Sequence, residues 1–195
     1  MGKVLIACEE SQAVCKAFRD LGYEAYSCDI QNCSGGRQEW HIKDDVLSHL
    51  KGWDLMIAHP PCTYLCNSGV RWLHERLGRW EKLNEAIDFF LTLLNAPVPH
   101  IAVENPVMHR YAYAKIPRPT QYVQPWEFGE PVSKKTGLWL KNLPPLIPTK
   151  IIPREKVEQR IWRESPSAER GEIRSKTSEG VAQAMADQWA NWVKK

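Results

Sequence analysis

Apolar positions along the chain alternate between short continuous runs and helix-spaced stripes. "KVLIA" (3–7) is an apolar run with β-branched content and predicts a buried strand. In the following "SQAVCKAFRDLGY", Val14, Phe18 and Leu21 are spaced four and three apart, which predicts a helix face that stops at Gly22. "EAYSCDI" (24–30) reads as a second strand, "NCSGGRQEW" as a loop, "HIKDDVLSHL" as a short strand edge with a helical turn, and "DLMIA" (54–58) as another strand. From Arg71 to Asn95 the periodicity predicts one long helix, with Leu73, Leu77, Trp80, Leu83, Ile87, Phe90 and Leu94 on its apolar stripe and Trp80 therefore in the core. "HIAVENP" (100–106) is a further buried strand. Residues 106–153 carry most of the 14 prolines and little helical periodicity, with "TQYVQP" and "TGLWLK" as short strands. Residues 153–177 are polar and charged and read as loop. "TSEGVAQAMADQWANWV" closes with a helix whose apolar face is Val181, Met185, Trp189 and Trp192.

Strands alternating with helices, the strands themselves apolar, predict an α/β fold with a mostly parallel sheet covered by helices on both faces. Ligands of such folds bind beyond the carboxyl ends of the strands. Those ends read "ACEESQ", "CDI", "KDDV", "HPPC" and "ENP". Asp29 suits either a ribose-binding carboxylate or a turn. Asp44 and Asp45 suit either an adenine amino group or the cap of the turn that follows. Pro60 and Pro61 stiffen the turn that carries Cys62, a good mount for a nucleophile and also an ordinary way to end a strand. A thiol attacks only as thiolate. A carboxylate alone would raise its pKa, so Glu104 makes no protease dyad with Cys62 and suits a role on a substrate ring nitrogen. Cys66 lacks the preceding prolines and is the weaker nucleophile candidate.

Composition narrows the class. The 195 residues are 43% hydrophobic and 25% charged, the profile of one soluble globular domain with a sizeable core. A net charge of +3 permits a nucleic-acid partner without demanding one. Nine tryptophans imply a ring-rich core or stacking surfaces. Tyr111, Tyr113, Tyr122, Trp126 and Phe128 stand among basic residues in 109–131; they suit base stacking or packing on one another. No run has the length of a signal core or a membrane span, which points to a cytoplasmic protein with its six cysteines reduced. The spacings Cys28 to Cys33 and Cys62 to Cys66 do not fit a paired zinc knuckle, and no metal is expected.

"HPPCTYLCNSG" followed by "VENP" resembles the DNA (cytosine-5) methyltransferase family, in the form of a short phage or prophage member without a target-recognition domain. The resemblance spans nearly the whole chain. It implies a Rossmann-like class I S-adenosylmethionine-dependent fold with a seven-strand-type sheet, as one catalytic domain over 1–195. It makes Cys62 the nucleophile at C6 of cytosine and Glu104 the acid at N3. "VLIACEESQAVCKAFRDLGYEAYSCDI" is similar to the family's first strand, cofactor loop and second-strand acid, and "IKDDV" to its adenine-contacting aspartate. S-adenosyl-L-methionine would then be bound by Ala7, Cys8, Glu9, Gln12, Asp29, Ile30, Asp45 and Pro60. The substrate would meet Pro61, Asn105, Lys135 and Arg174, with Lys134 and Arg170 as other candidates for the family's missing arginine motif. Amino-methylating enzymes of related fold carry an acid and an aromatic ring where this chain has His59 and Cys62, so the motif points to ring carbon.

The chain departs from the family in three places. Its cofactor loop has no glycine, "ENP" replaces Glu-Asn-Val, and the proline-rich 106–177 stands in place of a recognition domain. The expected partner is nucleic acid, DNA ahead of RNA, or a free cytidine nucleotide, with a protein partner as a possible source of specificity. The reading from another class is a catalytically silent methyltransferase-like binding protein.

Overall fold

The computed structural model describes residues 2–158 and 176–193. The described residues form a seven-stranded sheet from β1 (Lys3–Ala7), β2 (Glu24–Asp29), β3 (His41–Lys43), β4 (Leu55–Ala58), β5 (His100–Pro106), β6 (Gln121–Val123) and β7 (Thr136–Lys141). Its order is β3-β2-β1-β4-β5-β7-β6. The pairs from β3 to β5 are parallel, and β7 runs antiparallel to both β5 and β6. The chain steps outward from β1 to β3, then returns to place β4 on the other side of β1. The order reverses between β1 and β4, which opens a crevice at their carboxyl ends.

Period-two alternation decides which side chains meet which helices. Val4 and Ile6 of β1, Leu55 and Ile57 of β4, Ala102 of β5 and Leu138 of β7 point to one face. There they meet Val14 and Phe18 of α1 (Ala13–Asp20) and Val181, Met185 and Trp189 of α5 (Glu179–Trp189). Leu5, Met56, Ile101, Val103 and Trp139 point to the other face, against Leu83, Ile87, Phe90 and Leu93 of α3 (Arg79–Leu94). Two one-turn helices, α2 (Trp72–Glu75) and α4 (Arg110–Tyr113), lie in the connections after β4 and β5. Gly180, in the first turn of α5, sits so close to the Phe128 carbonyl that a Cβ there would overlap it. No helix among the described residues is long and apolar enough to cross a membrane.

The long helix expected over Arg71–Asn95 is broken. Arg76 is extended (φ −128°) and Gly78 takes a left-handed φ of 71°, a conformation that glycine adopts without steric cost and that no helix continues through. Leu77 is thereby turned fully into solvent, and Trp80 is 40% exposed rather than core. The stripe resumes in α3 and ends on Leu93, with Leu94 only half-buried, because a 3.6-residue period drifts past a strict four-residue step. Leu21 is exposed because α1 stops at Asp20, and Trp192 is exposed in a single 3-10 turn beyond α5.

Candidate active site

The site grows out of the last parallel pairing of the sheet. Ala58 of β4 is in register with Val103 of β5, so the next residues of the two strands face each other. His59 Nδ1 donates to Glu104 Oε2 at 2.7 Å, and Asn105 Nδ2 donates to the Pro60 carbonyl at 2.7 Å. These two bonds clamp the Pro-Pro-Cys turn to the Glu-Asn turn. The turn then closes on itself, because the Cys62 carbonyl accepts from the amides of Leu65 and Cys66, both at 3.0 Å. Pro60 and Asn105 are buried, Cys62 is half-buried and Pro61 is exposed.

A third segment completes the carboxylate's surroundings. Thr177, immediately before α5, donates its hydroxyl to Glu104 Oε2 at 3.1 Å and lies 3.3 Å from His59 Nδ1. Lys134 anchors its ammonium on the Lys176 carbonyl at 3.0 Å, which brings a cation to the same place. Among the described residues both hydrogen-bond donors to Glu104 use Oε2. A cavity of about 20 Å³ is bordered by Glu104, Lys134, Thr136, Thr177 and Ser178, room for about one water.

Charge alternates across this buried row. Burial pushes Glu104 toward the neutral form, but the hydrogen bond and charge of His59, with Lys134 and Thr177, overcome it and hold the carboxyl well below its ordinary range. Burial likewise opposes the charged form of His59, and Glu104 with Glu9 more than reverses that and raises it. The surroundings thus favour an imidazolium beside a carboxylate, with side chains only 11% and 10% exposed. Of three side-chain atoms buried without a hydrogen-bond partner among the described residues, two, His59 Nε2 and Asn105 Oδ1, are here, and the third is Arg79 Nε.

The first three strand ends form a second zone. Ala7 is buried at the end of β1. Cys8 follows with a left-handed φ of 58°, its amide bonded to the Cys28 carbonyl at 2.7 Å. Burial raises its thiol pKa, and the nearby Asp29 and Asp45 carboxylates raise it further. Those acids from β2 and the β3 turn thus converge above β1. Asp29 Oδ1 accepts from the Gln31 amide at 2.8 Å, and Asp45 Oδ1 from the Leu47 amide at 3.0 Å, so each also serves as a turn or cap acceptor. Ile30, next to Asp29, is 74% exposed.

Glu9 and Gln12 are used inside the protein. Glu9 accepts from the Val14 and Cys15 amides at 2.7 and 3.2 Å, so its carboxylate caps α1, and burial raises its pKa despite His59 and those amides. Gln12, fully buried, donates to the Arg37 carbonyl at 2.8 Å and accepts from the Arg37 amide at 3.1 Å, which fastens the loop after β2 onto the loop after β1.

Other expected residues lie elsewhere. Lys135 stacks its ammonium 4.4 Å over the Tyr122 ring, and it is Lys134 that reaches the Glu104 neighbourhood. Arg170 and Arg174 lie outside the described residues, as does most of the charged 153–177 stretch. Within 109–131, Phe128 is buried and Tyr113 and Tyr122 share a hydrogen bond at 2.9 Å, so these rings pack within the protein. Burial pushes the Cys15 and Cys28 thiols up to about 12, so these and Cys8 stay protonated near neutrality. Sequence reasoning missed the roles of His59 and Thr177. The signal for His59 was present, since it takes the place of an acid before the two prolines; nothing in the sequence marks Thr177.

No protein-family model matches the chain, and no curated protein matches it. A solved structure from E. coli, described as a candidate DNA modification methyltransferase encoded within a prophage, has a similar fold. The TM-score is 0.50 at 13% identity, over 78% of this chain and 52% of that one. This chain thus spans about half the length of that structure. With the strand order above, the likeness establishes an α/β, Rossmann-like methyltransferase fold.

Proposed function

We propose that this chain is an S-adenosylmethionine-dependent methyltransferase that methylates C5 of cytosine in nucleic acid, DNA ahead of RNA, through a covalent bond between Cys62 and C6. The observation that carries the proposal is the double clamp of His59 on Glu104 and of Asn105 on Pro60, which joins a Pro-Pro-Cys turn to a Glu-Asn turn at adjacent strand ends.

The cofactor fits the first zone in its nucleoside half. Asp29 has the chemistry for ribose hydroxyls, Asp45 for an adenine amino group, and the exposed Ile30 for an aromatic face. When bound, S-adenosylmethionine supplies an electrophilic methyl group. The chain's residues make cytosine receptive to it. Cys62 Sγ forms a bond to C6 and breaks the ring's aromaticity, and electron density moves to C5. As the adduct forms, N3 takes a proton from water, and Glu104 Oε1 accepts from the resulting N3–H and the amino group, while His59 and Thr177 fix the carboxylate through Oε2. Loss of the C5 proton to water, then of the Cys62 thiolate from C6 and of the N3 proton to water, restores the ring. A base in a duplex must leave the stack to reach these groups.

One observation favours a second reading, a methyltransferase-fold protein that binds without turnover. The first amides of α1, which could receive a cofactor carboxylate, are already held by Glu9. Two measurements decide. Calorimetric titration with S-adenosylmethionine should show binding, and Cys62→Ser should abolish methyl transfer to cytosine while leaving that binding and the fold intact. Activity that survives in Cys62→Ser refutes the covalent mechanism. Absence of cofactor binding, with and without nucleic acid, selects the silent reading.

A further inference from the structure

Trp80 and Leu77 have the spacing of core residues, yet the fold turns both outward on the connection that follows the Cys62 turn. Exposed large rings are ordinary singly and informative in clusters. Here they cluster. Trp80 packs edge-to-face with Tyr111 at 5.1 Å and with His74 at 5.6 Å, and His74 donates to or accepts from the Tyr111 hydroxyl at 3.2 Å. Four arginines stand among these rings. The Arg71 and Arg76 guanidiniums lie 4.2 and 3.9 Å from the Trp72 ring centroid, Arg79 lies 4.3 Å from Tyr64, and Arg110 4.6 Å from Tyr111.

The cluster is tied to the candidate site. Arg79 Nη2 donates to the Thr63 carbonyl at 3.3 Å, one residue after Cys62. His109 donates to the Tyr64 carbonyl at 2.9 Å, so the connections after β4 and β5 are fastened together on the carboxyl edge that carries Cys62 and Glu104. Arginine planes with aromatic rings are the chemistry of unpaired bases on a polyanionic backbone, because every base offers a face to stack and every phosphate a charge to neutralise. A duplex hides its base faces and offers this surface only phosphates.

We propose that the surface formed by Tyr64, Trp72, His74, Trp80 and Tyr111 with Arg71, Arg76, Arg79 and Arg110 is a docking platform for single-stranded nucleic acid, which leads an unpaired base toward Cys62. This deepens the functional reading above and rests on it.

The test is fluorescence anisotropy with labelled twelve-nucleotide DNA and RNA strands of one cytosine-containing sequence and with the matching DNA duplex, without cofactor. The wild-type protein should bind the single strands more tightly than the duplex. Trp80→Ala should weaken strand binding about tenfold, the scale of one lost base stack. Arg71→Ala with Arg76→Ala should lower the slope of log affinity against log salt by about 1.4, at about 0.7 per lost phosphate contact on a single strand. Both positions are solvent-facing, so the melting temperature should hold. Preference for the DNA or the RNA strand names the natural ligand. Tighter binding of the duplex, wild-type affinity in both variants, or no binding of any nucleic acid overturns the proposal; the last outcome leaves a protein partner as the occupant. Methyl transfer is measured on the same strands with S-adenosylmethionine added. Strand binding without methyl transfer by the wild type therefore removes the catalytic reading alone, and methyl transfer with undiminished strand affinity in the arginine variant removes the platform alone.

Discussion

Replacing His59 by asparagine isolates the charge in the buried row. The asparagine amide reaches about where Nδ1 stands, so a donor to Glu104 Oε2 is kept and the positive charge is lost. A hydrogen bond to a charged group contributes about 1.5–3 kcal/mol and a neutral one about 0.5–1.5 kcal/mol. The pair is buried on both sides, so solvent screens little of the difference, and His59→Asn should cost about 1–2 kcal/mol at about pH 5.5. The folded pKa of His59 is raised above 6.5. Its stabilisation is therefore complete below pH 6.5 and is lost as pH rises through the folded value. At a second pH, above that folded value, the imidazole is neutral in both states, and wild type and variant should converge. Glu9 also faces the imidazolium, so its coupling to His59 is part of the gap and disappears with the charge. The assay is urea denaturation of both proteins at the two pH values, with the gap in unfolding free energy as the readout. A gap of equal size at both would refute the imidazolium–carboxylate pair.

Other consequences can be checked in the same way. Glu104 works in the opposite sense to His59: its stabilisation is present above pH 4.5 and lost as pH falls toward its depressed folded value, so a Glu104→Gln variant should show a flatter acid limb by circular dichroism. Glu9→Ala leaves the Val14 and Cys15 amides without their acceptor and should cost about 0.5–2 kcal/mol in denaturant titration. Gly180→Ala drives a methyl group into the Phe128 carbonyl and should destabilise the docking of α5 by about 1–3 kcal/mol, seen as a lower melting temperature. Asn105→Leu frees the Pro60 carbonyl in a buried place, and it should cost about 1–3 kcal/mol and mobilise the Cys62 turn in hydrogen exchange.

The strands were legible because each carries its own signal. "HIAVENP" and "TGLWLK" became β5 and β7 over the residues that the apolar runs mark. The break in the long helix was not, since periodicity registers Leu77 and Trp80 as core and only the left-handed Gly78 between them ejects both. At the site, the pairing of the Pro-Pro-Cys and Glu-Asn turns follows from neighbouring strand ends. What a single sequence hides is what side chains do after the backbone has placed them. Glu9 and Gln12 sit in the expected loop, but their polar atoms turn inward to α1 and to Arg37. Thr177 reaches Glu104 across a separation that no local pattern records.

That separation sets a timetable for the growing chain. Glu104 is synthesised 73 residues before Thr177. At about 5–20 residues per second, the carboxylate waits on the order of 4–15 s for its last hydrogen-bond donor. During that interval Glu104 has His59 beside it but not the Thr177 hydroxyl. The buried row is therefore a late product of synthesis, finished only when the segment before α5 docks and brings the Thr177 hydroxyl to Glu104.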